Sequence, residues 1–318
     1  MDWLLIAVTG YFINAGVYVA DKFMLSKKFH SSITYAFFVG IWSVLNFCLL
    51  PLAPYMPSLA WLAVELAGGA LFLFTIIFWY KALHQSEATR VVPIVGGLTP
   101  VFTLLFSVIF LGEQITSQEF VAFTVLIIGG ALISVKNTKM YLPGRIVAQI
   151  QSWLGLVHAS YRPTWRLLLN STVSAFFFAA YYVLMKYIYL HEPFLGSFVW
   201  SRLGTFIAVL CILLVPGWRK SIAKHQGAAK KHTNVYFFLG VRFAAAVAFI
   251  LTNWAISLGN VAMINALQGV QYLFLILLVL VLSIKFPKIY REELGRGVIA
   301  QKVIGVVLVS LGVYVLML

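Results

Sequence analysis

Residues 87–135 read EATRVVPIVGGLTPVFTLLFSVIFLGEQITSQEFVAFTVLIIGGALISV. This segment holds two apolar stretches, Val91–Leu111 and Gln118–Val135, joined by a short turn that contains a glycine and a glutamate. Each stretch is close to the roughly 20 residues that a helix needs to cross about 30 Å of hydrocarbon. The segment therefore predicts two consecutive membrane helices connected by a tight turn.

Eight further apolar stretches of similar length lie on either side of this pair. They are Trp3–Ala20, Ile33–Leu50, Leu59–Tyr80, Thr172–Leu190, Phe194–Val215, Tyr236–Leu258, Val261–Ile284 and Val298–Leu318. Hydrophobic residues make up 62% of the chain, charged residues only 10%, and the mean hydropathy is +0.96. Because no soluble domain can bury so much apolar surface, we expect an all-α membrane protein with ten transmembrane helices. The continuous apolar runs argue against a transmembrane β-barrel.

The basic residues fall in alternate gaps between the predicted spans, with Lys186, Arg202 and Arg242 as the exceptions. Because basic loops stay in the cytoplasm, this pattern predicts a multi-pass membrane protein with both termini extracytoplasmic. The short loops and termini favour a bacterial inner membrane. The net charge of +14 then belongs to cytoplasmic loops that contact anionic lipids, and nucleic acid is not an expected partner.

The two halves of the chain repeat each other in three ungapped blocks. At an offset of 164 residues Tyr18 falls on Tyr182 and Lys22 on Lys186, and Gly96 falls on Gly269 at an offset of 173. At 183 the matches are Gln118 with Gln301 and Gly129 with Gly312. We expect a first repeat over 1–135, a basic cytoplasmic linker over 136–169 and a second repeat over 170–318. Since each repeat has an odd number of spans, the second enters the membrane inverted, which is the arrangement that supports alternating access.

Glu87–Ser134 closely resembles the fourth and fifth helices of EamA-type carriers of the drug/metabolite transporter (DMT) superfamily. The resemblance rests on the prolines of span four, the turn Leu111–Gly112–Glu113 and the pair Gly129–Gly130. Lys22, Lys186 and Arg202 match basic residues that these carriers often have. The resemblance implies the DMT fold, in which ten helices form a two-fold pseudo-symmetric secondary transporter, usually an exporter, around a central cavity. No cofactor or metal is expected.

Two departures from that family stand out. The second repeat has Lys285–Phe286–Pro287 where the first has the Leu-Gly-Glu turn. Family members usually have basic termini, which implies cytoplasmic ends, whereas this chain has neither lysine nor arginine at either terminus. We follow the loop charge of this chain for the orientation.

Helix-breaking and polar residues on spans four and nine predict where a solute binds, because interrupted helices in matching positions line carrier sites. The predicted gating or helix-break positions are Pro93, Gly96, Gly97, Pro100 and Gly269. The predicted polar lining of span nine is Asn265, Gln268, Gln271 and Tyr272. The alternative is purely structural, with prolines that kink a helix for packing and amides that join neighbouring helices.

Ionisable and aromatic side chains complete the predicted substrate site. Arg202 and Lys186 are candidates to bind a carboxylate or phosphate, although Arg202 could instead pair with helix-end carbonyls or Glu192. The predicted aromatic and polar walls are Asn14, Tyr18, Trp79, Tyr80, Tyr182 and Trp254. Glu65 is the best carboxylate for proton coupling, and the alternative is that it extends to the membrane surface or forms a salt bridge. Asp21 is expected to pair with Lys22, and Arg242 to extend toward the membrane surface.

These residues indicate a secondary transporter that moves small polar or amphipathic metabolites, such as amino acids, by alternating access. An enzyme is not expected, because the chain lacks the motifs of metalloproteases, hydrolases and nucleotide-driven pumps, and has no paired carboxylates within the membrane. A flippase for a lipid-linked headgroup remains the alternative. The expected partners are the small-molecule solute and membrane lipids, with the chain as a monomer or weak homodimer.

Overall fold

A computed structural model describes residues 2–27, 31–52, 54–86, 88–134, 165–229, 235–285 and 296–317. Within these ranges every regular element is a helix. Most of the predicted basic linker, residues 136–164 of 136–169, lies outside the described residues.

The helices follow the predicted spans in order, with one addition. They are α1 (Asp2–Lys27), α2 (Ser32–Ile41, continued as a 3₁₀ helix over Trp42–Leu52), α3 (Leu59–Gln85), α4 (Ala88–Phe106, continued as a π-helix over Ser107–Leu111), α5 (Ser117–Ser134), α6 (Trp165–His191), α7 (Phe194–Ile212), α8 (Pro216–Ala229), α9 (Val235–Leu258), α10 (Val261–Ala266), α11 (Gln268–Lys285) and α12 (Arg296–Met317). The addition is α8, which occupies part of the gap between spans seven and eight. Span nine is divided at Leu267 into α10 and α11.

Seven described helical segments are long and apolar enough to cross a membrane. They are Asp2–Leu25, Ser32–Leu52, Leu59–Gln85, Ile94–Leu111, Trp165–His191, Phe194–Ile212 and Val235–Leu258. Ser117–Gly129 and Val261–Leu275 are apolar but shorter. The chain is therefore a polytopic helical membrane protein, and the count of ten spans stays a prediction.

Helix packing pairs the two halves of the chain with each other. The closest pairs are α5 with α12, α3 with α6, and α1 with α9, and α4 packs on α6 as α11 packs on α1. If α1–α5 correspond in order to α6, α7, α9, the α10–α11 span and α12, the pair of α3 with α6 is equivalent to the pair of α9 with α1. The pair of α4 with α6 is likewise equivalent to the pair of α11 with α1. One pair breaks the pattern: α3 packs along α7, whereas among the described residues α2 and α9 share no comparable interface.

Two glycines allow the close approach of α3 and α7. A Cβ on Gly69 would overlap the Ser201 carbonyl and the Thr205 amide, and one on Gly204 would overlap the Leu66 backbone. Thr205 Oγ1 donates to the Gly69 carbonyl at 3.0 Å. Backbone therefore lies against backbone along this interface, as small residues permit in membrane helices.

The Leu111–Gly112–Glu113 turn ends span four. Gly112 has φ = 64°, a left-handed conformation that favours glycine, and its N–H bonds the Ser107 carbonyl. The turn therefore closes the π-helix and lets the chain reverse into α5 within five residues (112–116).

Candidate functional site

A cavity lies between α1, α2, α3, α6, α7 and α9. Its volume is about 140 Å³, which is room for several waters or a small solute. Its lining includes Asn14, Val17, Tyr18, Asp21, Val39, Trp42, Ser43, Asn46, Phe72, Ile76, Trp79, Tyr80, Phe178, Tyr182, Phe198, Arg202, Arg242, Ala245, Ala246 and Phe249. Aromatic rings and a few polar groups therefore form most of the wall.

The structure brings six of the predicted substrate-binding residues to this cavity: Asn14, Tyr18, Trp79, Tyr80, Tyr182 and Arg202. The other predicted residues lie elsewhere. Lys186, Asn265, Gln268, Gln271 and Tyr272 are outside the lining, and Trp254 is 43% exposed on the surface of the bundle.

Arg202 is enclosed by aromatic rings. Its guanidinium carbon lies 4.4 Å from the ring centre of Phe72 and 4.7 Å from that of Phe249, and Nη2 donates to the Tyr181 hydroxyl at 3.0 Å. The side chain is buried, and no carboxylate of the described residues lies within salt-bridge distance of it. Its Nε has no hydrogen-bond partner among them. The cavity wall thus carries a positive charge that the described part of the protein does not neutralise.

Arg242 is neutralised, in contrast, by Asp21. The Asp21 carboxylate forms an ion pair with Arg242 and accepts hydrogen bonds from Tyr35 (2.8 Å) and Tyr80 (3.0 Å). The predicted Asp21–Lys22 pair and the surface-directed Arg242 are therefore wrong. The sequence placed both residues near the same membrane face, but only the packing of α1 against α9 shows that they meet.

Lys22 and Lys186 each donate hydrogen bonds to carbonyls at the C-terminal end of a helix. Lys22 Nζ donates to the carbonyls of Leu83 and Ser86 at the end of α3. Lys186 Nζ donates to those of Ile256 and Gly259 at the end of α9. A cation at a helix C-terminus satisfies carbonyls that lack intrahelical partners. We call the two ends of the bundle the Lys22 end and the Lys186 end.

The polar residues of span nine are buried next to span four. Asn265 Nδ2 donates to the Val261 carbonyl, while Gln271 and the Tyr272 hydroxyl have no partner among the described residues. A Cβ on Gly96 would clash with the Tyr272 hydroxyl, so the two spans are in close contact there.

The predicted helix-break residues are placed as follows. Gly97 has open space around it, and both Pro100 and Gly269 are buried. The side chain of Pro93 lies outside the described residues.

At the Lys186 end, Tyr55 joins two carboxyl groups. Its hydroxyl lies 2.9 Å from Glu192 Oε2 and 3.3 Å from Glu65 Oε1. Tyr55 packs on Gly196, and its carbonyl accepts from Trp200 Nε1 at 3.0 Å. Partial burial, followed by the hydrogen bond to Glu192, raises the pKa of the Tyr55 hydroxyl above its ordinary value. Glu65 itself is fully buried, and its Oε2 has no partner among the described residues.

Glu113 lies at the same end, after the left-handed Gly112. Burial raises the pKa of its carboxyl, against the opposing effects of a nearby Ser107 hydroxyl and the Lys186 ammonium. The Leu-Gly-Glu turn thus brings a partly desolvated carboxyl near the lysine that bonds the end of α9.

The fold and cavity define a helical membrane protein with an aromatic, cation-bearing internal site. Residues 1–135 match the profile of the EamA-like transporter family. The resemblance read from Glu87–Ser134 to EamA-type carriers is therefore confirmed over the first half of the chain.

A solved crystal structure, titled only "Crystal structure of protein", has the same fold. The two structures superpose with a TM-score of 0.64 at 14% sequence identity, covering 100% of this chain and 99% of the other. No curated protein matches the chain in sequence.

Proposed function

We propose that the protein is a secondary transporter that moves small, carboxylate-bearing amphipathic solutes, such as amino acids, by alternating access. Arg202 is the observation that carries this proposal. A buried guanidinium without a countercharge is costly in a membrane protein, and a bound carboxylate would supply that countercharge through bidentate hydrogen bonds. The rings that enclose the guanidinium would contact the apolar part of the same solute.

The contacts of the two lysines support two states of similar energy. Leu83 and Ser86 correspond to Ile256 and Gly259 at the offset of 173 residues that the sequence repeat shows. The lysine of each half therefore bonds the corresponding helix end within its own half, α3 in the first and α9 in the second. If α3 packs on α7 in one state, the inverted repeat leads us to expect that α9 packs on α2 in the other.

The loop charge supports an inner-membrane protein with its Lys22 end in the cytoplasm. In this orientation the tightly packed interface of α3 and α7 lies toward the outer half of the membrane. The family resemblance favours export, although the solute gradients set the direction of net transport.

A thermal-shift panel tests the proposed substrate class. A solute that binds only the folded protein raises the melting temperature by mass action. We expect amino acids or other small carboxylates to stabilise the purified protein in detergent, and Arg202→Gln to abolish the shift. Arg219→Gln is the matched control, because Arg219 is exposed on α8. If carboxylates stabilise the Arg202→Gln variant as well as the wild type, the proposed role of Arg202 is wrong.

A flippase is the second candidate, favoured because α2 and α9 both line the cavity and share no extensive interface among the described residues. Val39, Trp42, Ser43 and Asn46 from span two and Ala245 and Ala246 from α9 line the cavity. A lipid-linked headgroup could enter between these helices from the membrane. A melting-temperature shift with polyprenyl phosphates, and none with amino acids, would favour this function.

A further inference from the structure

Glu65 stands out among the buried ionisable groups because no cation of the described residues forms a salt bridge with it. It lies on α3, in the half of the helix nearer the Lys186 end, and none of its surface is exposed. Lys186 of α6 and Arg202 of α7 donate to the α9 carbonyls and to Tyr181, respectively, and Lys22 of α1 donates at the opposite end of α3. Within the described residues Glu65 has no salt bridge. An ionised carboxylate at this position would be buried without compensation, which is strongly unfavourable.

The hydrogen bonds around Tyr55 are consistent with a neutral Glu65. One tyrosine hydroxyl carries a single hydrogen, yet it lies within bonding distance of two carboxyl groups. If Glu65 is protonated, its O–H donates to Tyr55 Oη, and the Tyr55 O–H donates to the Glu192 carboxylate. If Glu65 is ionised, the single Tyr55 hydrogen serves only one of the two carboxylates, and the Glu65 charge then has only the neutral hydroxyls of Tyr55 and Ser197 beside it among the described residues.

The other polar and titratable groups at the Lys186 end do not change the inference that Glu65 is neutral. Tyr189 of α6 donates to Asn253 at 3.1 Å. The His191 ring is exposed, contacts the Tyr187 carbonyl and lies 5.5 Å from the Trp61 ring. Ser197 of α7 lies beside Glu65, and its hydroxyl has no partner among the described residues. Of these groups, Tyr55 and Glu192 complete the hydrogen-bonded chain.

We propose that Glu65 is a proton-binding site that couples the closed state of the Lys186 end to pH. The chain from Glu65 through Tyr55 to Glu192 joins α3, the connection between α2 and α3, and the end of α6. When this end closes, Glu65 binds one proton. When α3 and α7 separate, water reaches Glu65, the proton passes to bulk water and the carboxylate remains.

This site rests on the proposed carrier function, since it needs two states, but its ligand is the proton and not the solute. Because opening releases one proton, the equilibrium between open and closed ends changes by up to about tenfold per pH unit. Higher pH therefore favours the open Lys186 end. The equivalent position of the second half, at the offset of 173, is Phe238, so the other end has no matching group.

Cysteine accessibility tests the site without any solute. Ser201 is fully buried in the interface of α3 and α7, so a Ser201→Cys thiol reports its opening. The background replaces Cys48 and Cys211, both exposed, with serine. Met56→Cys, at a position 80% exposed, corrects for the pH dependence of the maleimide reaction itself. The protein is held in nanodiscs, where both faces meet the reagent.

We expect the corrected labelling rate of Ser201→Cys to rise between pH 6 and 8 by up to about tenfold per unit. Adding Glu65→Gln, which keeps a donor to Tyr55 but cannot ionise, should make labelling slow and independent of pH. Adding Tyr55→Phe should make labelling fast at low pH, because the chain is broken. His191→Gln should leave the profile of the parent variant unchanged.

Two results would overturn the proposal. One is a corrected rate that does not depend on pH when Glu65 is present, and the other is an unchanged pH profile after Glu65→Gln. Because no solute is present, failure of the thermal-shift panel would reject the substrate class and leave this result intact.

Discussion

Lys22 and Lys186 make the same contact on different helices. Lys22 Nζ lies 2.9 Å from the Leu83 carbonyl and 2.7 Å from that of Ser86. Lys186 Nζ lies 3.0 Å from the Ile256 carbonyl and 2.8 Å from that of Gly259. The two lysines match at the repeat offset of 164 residues and the residues whose carbonyls they bond match at 173. Each half therefore contains the same lysine–carbonyl contact.

The lysine contacts predict that replacing Lys186 destabilises the protein and leaves solute binding intact. Lys186→Met should lower the free energy of unfolding by about 1–3 kcal/mol, because it leaves buried carbonyls without a charged donor. Melting temperatures in detergent measure this effect. A solute that stabilises the wild type should stabilise Lys186→Met by a similar increment, and loss of that increment would show that Lys186 binds the solute.

Removing the charge of Arg202 should cost little stability in the absence of solute. The guanidinium has no carboxylate partner within the described part of the chain, so Arg202→Gln removes an uncompensated buried charge. We expect an unchanged or higher melting temperature without solute. A fall of many degrees would mean that the aromatic enclosure and Tyr181 stabilise the arginine structurally.

The Asp21–Arg242 pair predicts the opposite behaviour. Asp21→Asn leaves Arg242 buried beside neutral groups, which should cost about 3–5 kcal/mol of stability. Arg242→Met in the same chain should recover a large part of that loss, because it removes the orphaned charge. A double-mutant cycle on melting temperature measures the coupling, and additive losses would contradict a direct pair.

The glycines between α3 and α7 predict that an added methyl group destabilises the protein there but is tolerated at Gly97. Gly69→Ala should destabilise the closed interface, since its methyl group would meet the backbone at Ser201 and Thr205. Gly97→Ala is the control, because nothing lies within 4 Å of the added carbon. The control should be neutral or stabilising by up to about 1 kcal/mol. Equal effects of the two substitutions on the melting temperature would contradict the close packing.

Glu113 predicts a pH-dependent stability. Burial raises the pKa of its carboxyl in the folded protein, so protonation favours the fold. The benefit of the protonated form is present below the ordinary carboxyl pKa of 4.5. It is lost as the pH rises through the higher folded pKa. Glu113→Gln should therefore melt at a higher temperature than wild type at pH 8, with the difference shrinking toward pH 4.5. A constant difference across this range would contradict the raised pKa.

The sequence predicted the membrane class and helix order because both depend on apolar length and charge. It also predicted that Asn14, Tyr18 and Tyr182 face the same interior, since the repeat and helical spacing place them there. It did not predict the Asp21–Arg242 pair, because their meeting depends on which helices pack. The exact break at Leu267 and the 3₁₀ continuation after Ile41 were not predicted, although the predicted helix-break residue Gly269 and the glycine at Gly40 lie close to these points.

The placement of Lys186 shows a further limit of reading charges alone. A lysine inside a predicted span indicates function by default, because burial is costly. Here the carbonyls at the end of α9 satisfy it, and these acceptors lie about 70 residues further along the chain. Only tertiary packing distinguishes it from Arg202, whose donors meet a tyrosine hydroxyl and ring faces.

Counterflow in proteoliposomes tests the central claim most directly. Vesicles are loaded with the unlabelled carboxylate that gives the largest melting-temperature shift, and uptake of the labelled compound is followed with the gradient directed outward. We predict transient accumulation of label above equilibrium in wild-type vesicles and none with Arg202→Gln. Simple equilibration without overshoot in wild-type vesicles, or the same overshoot in the variant, would contradict a carrier that binds its solute at Arg202.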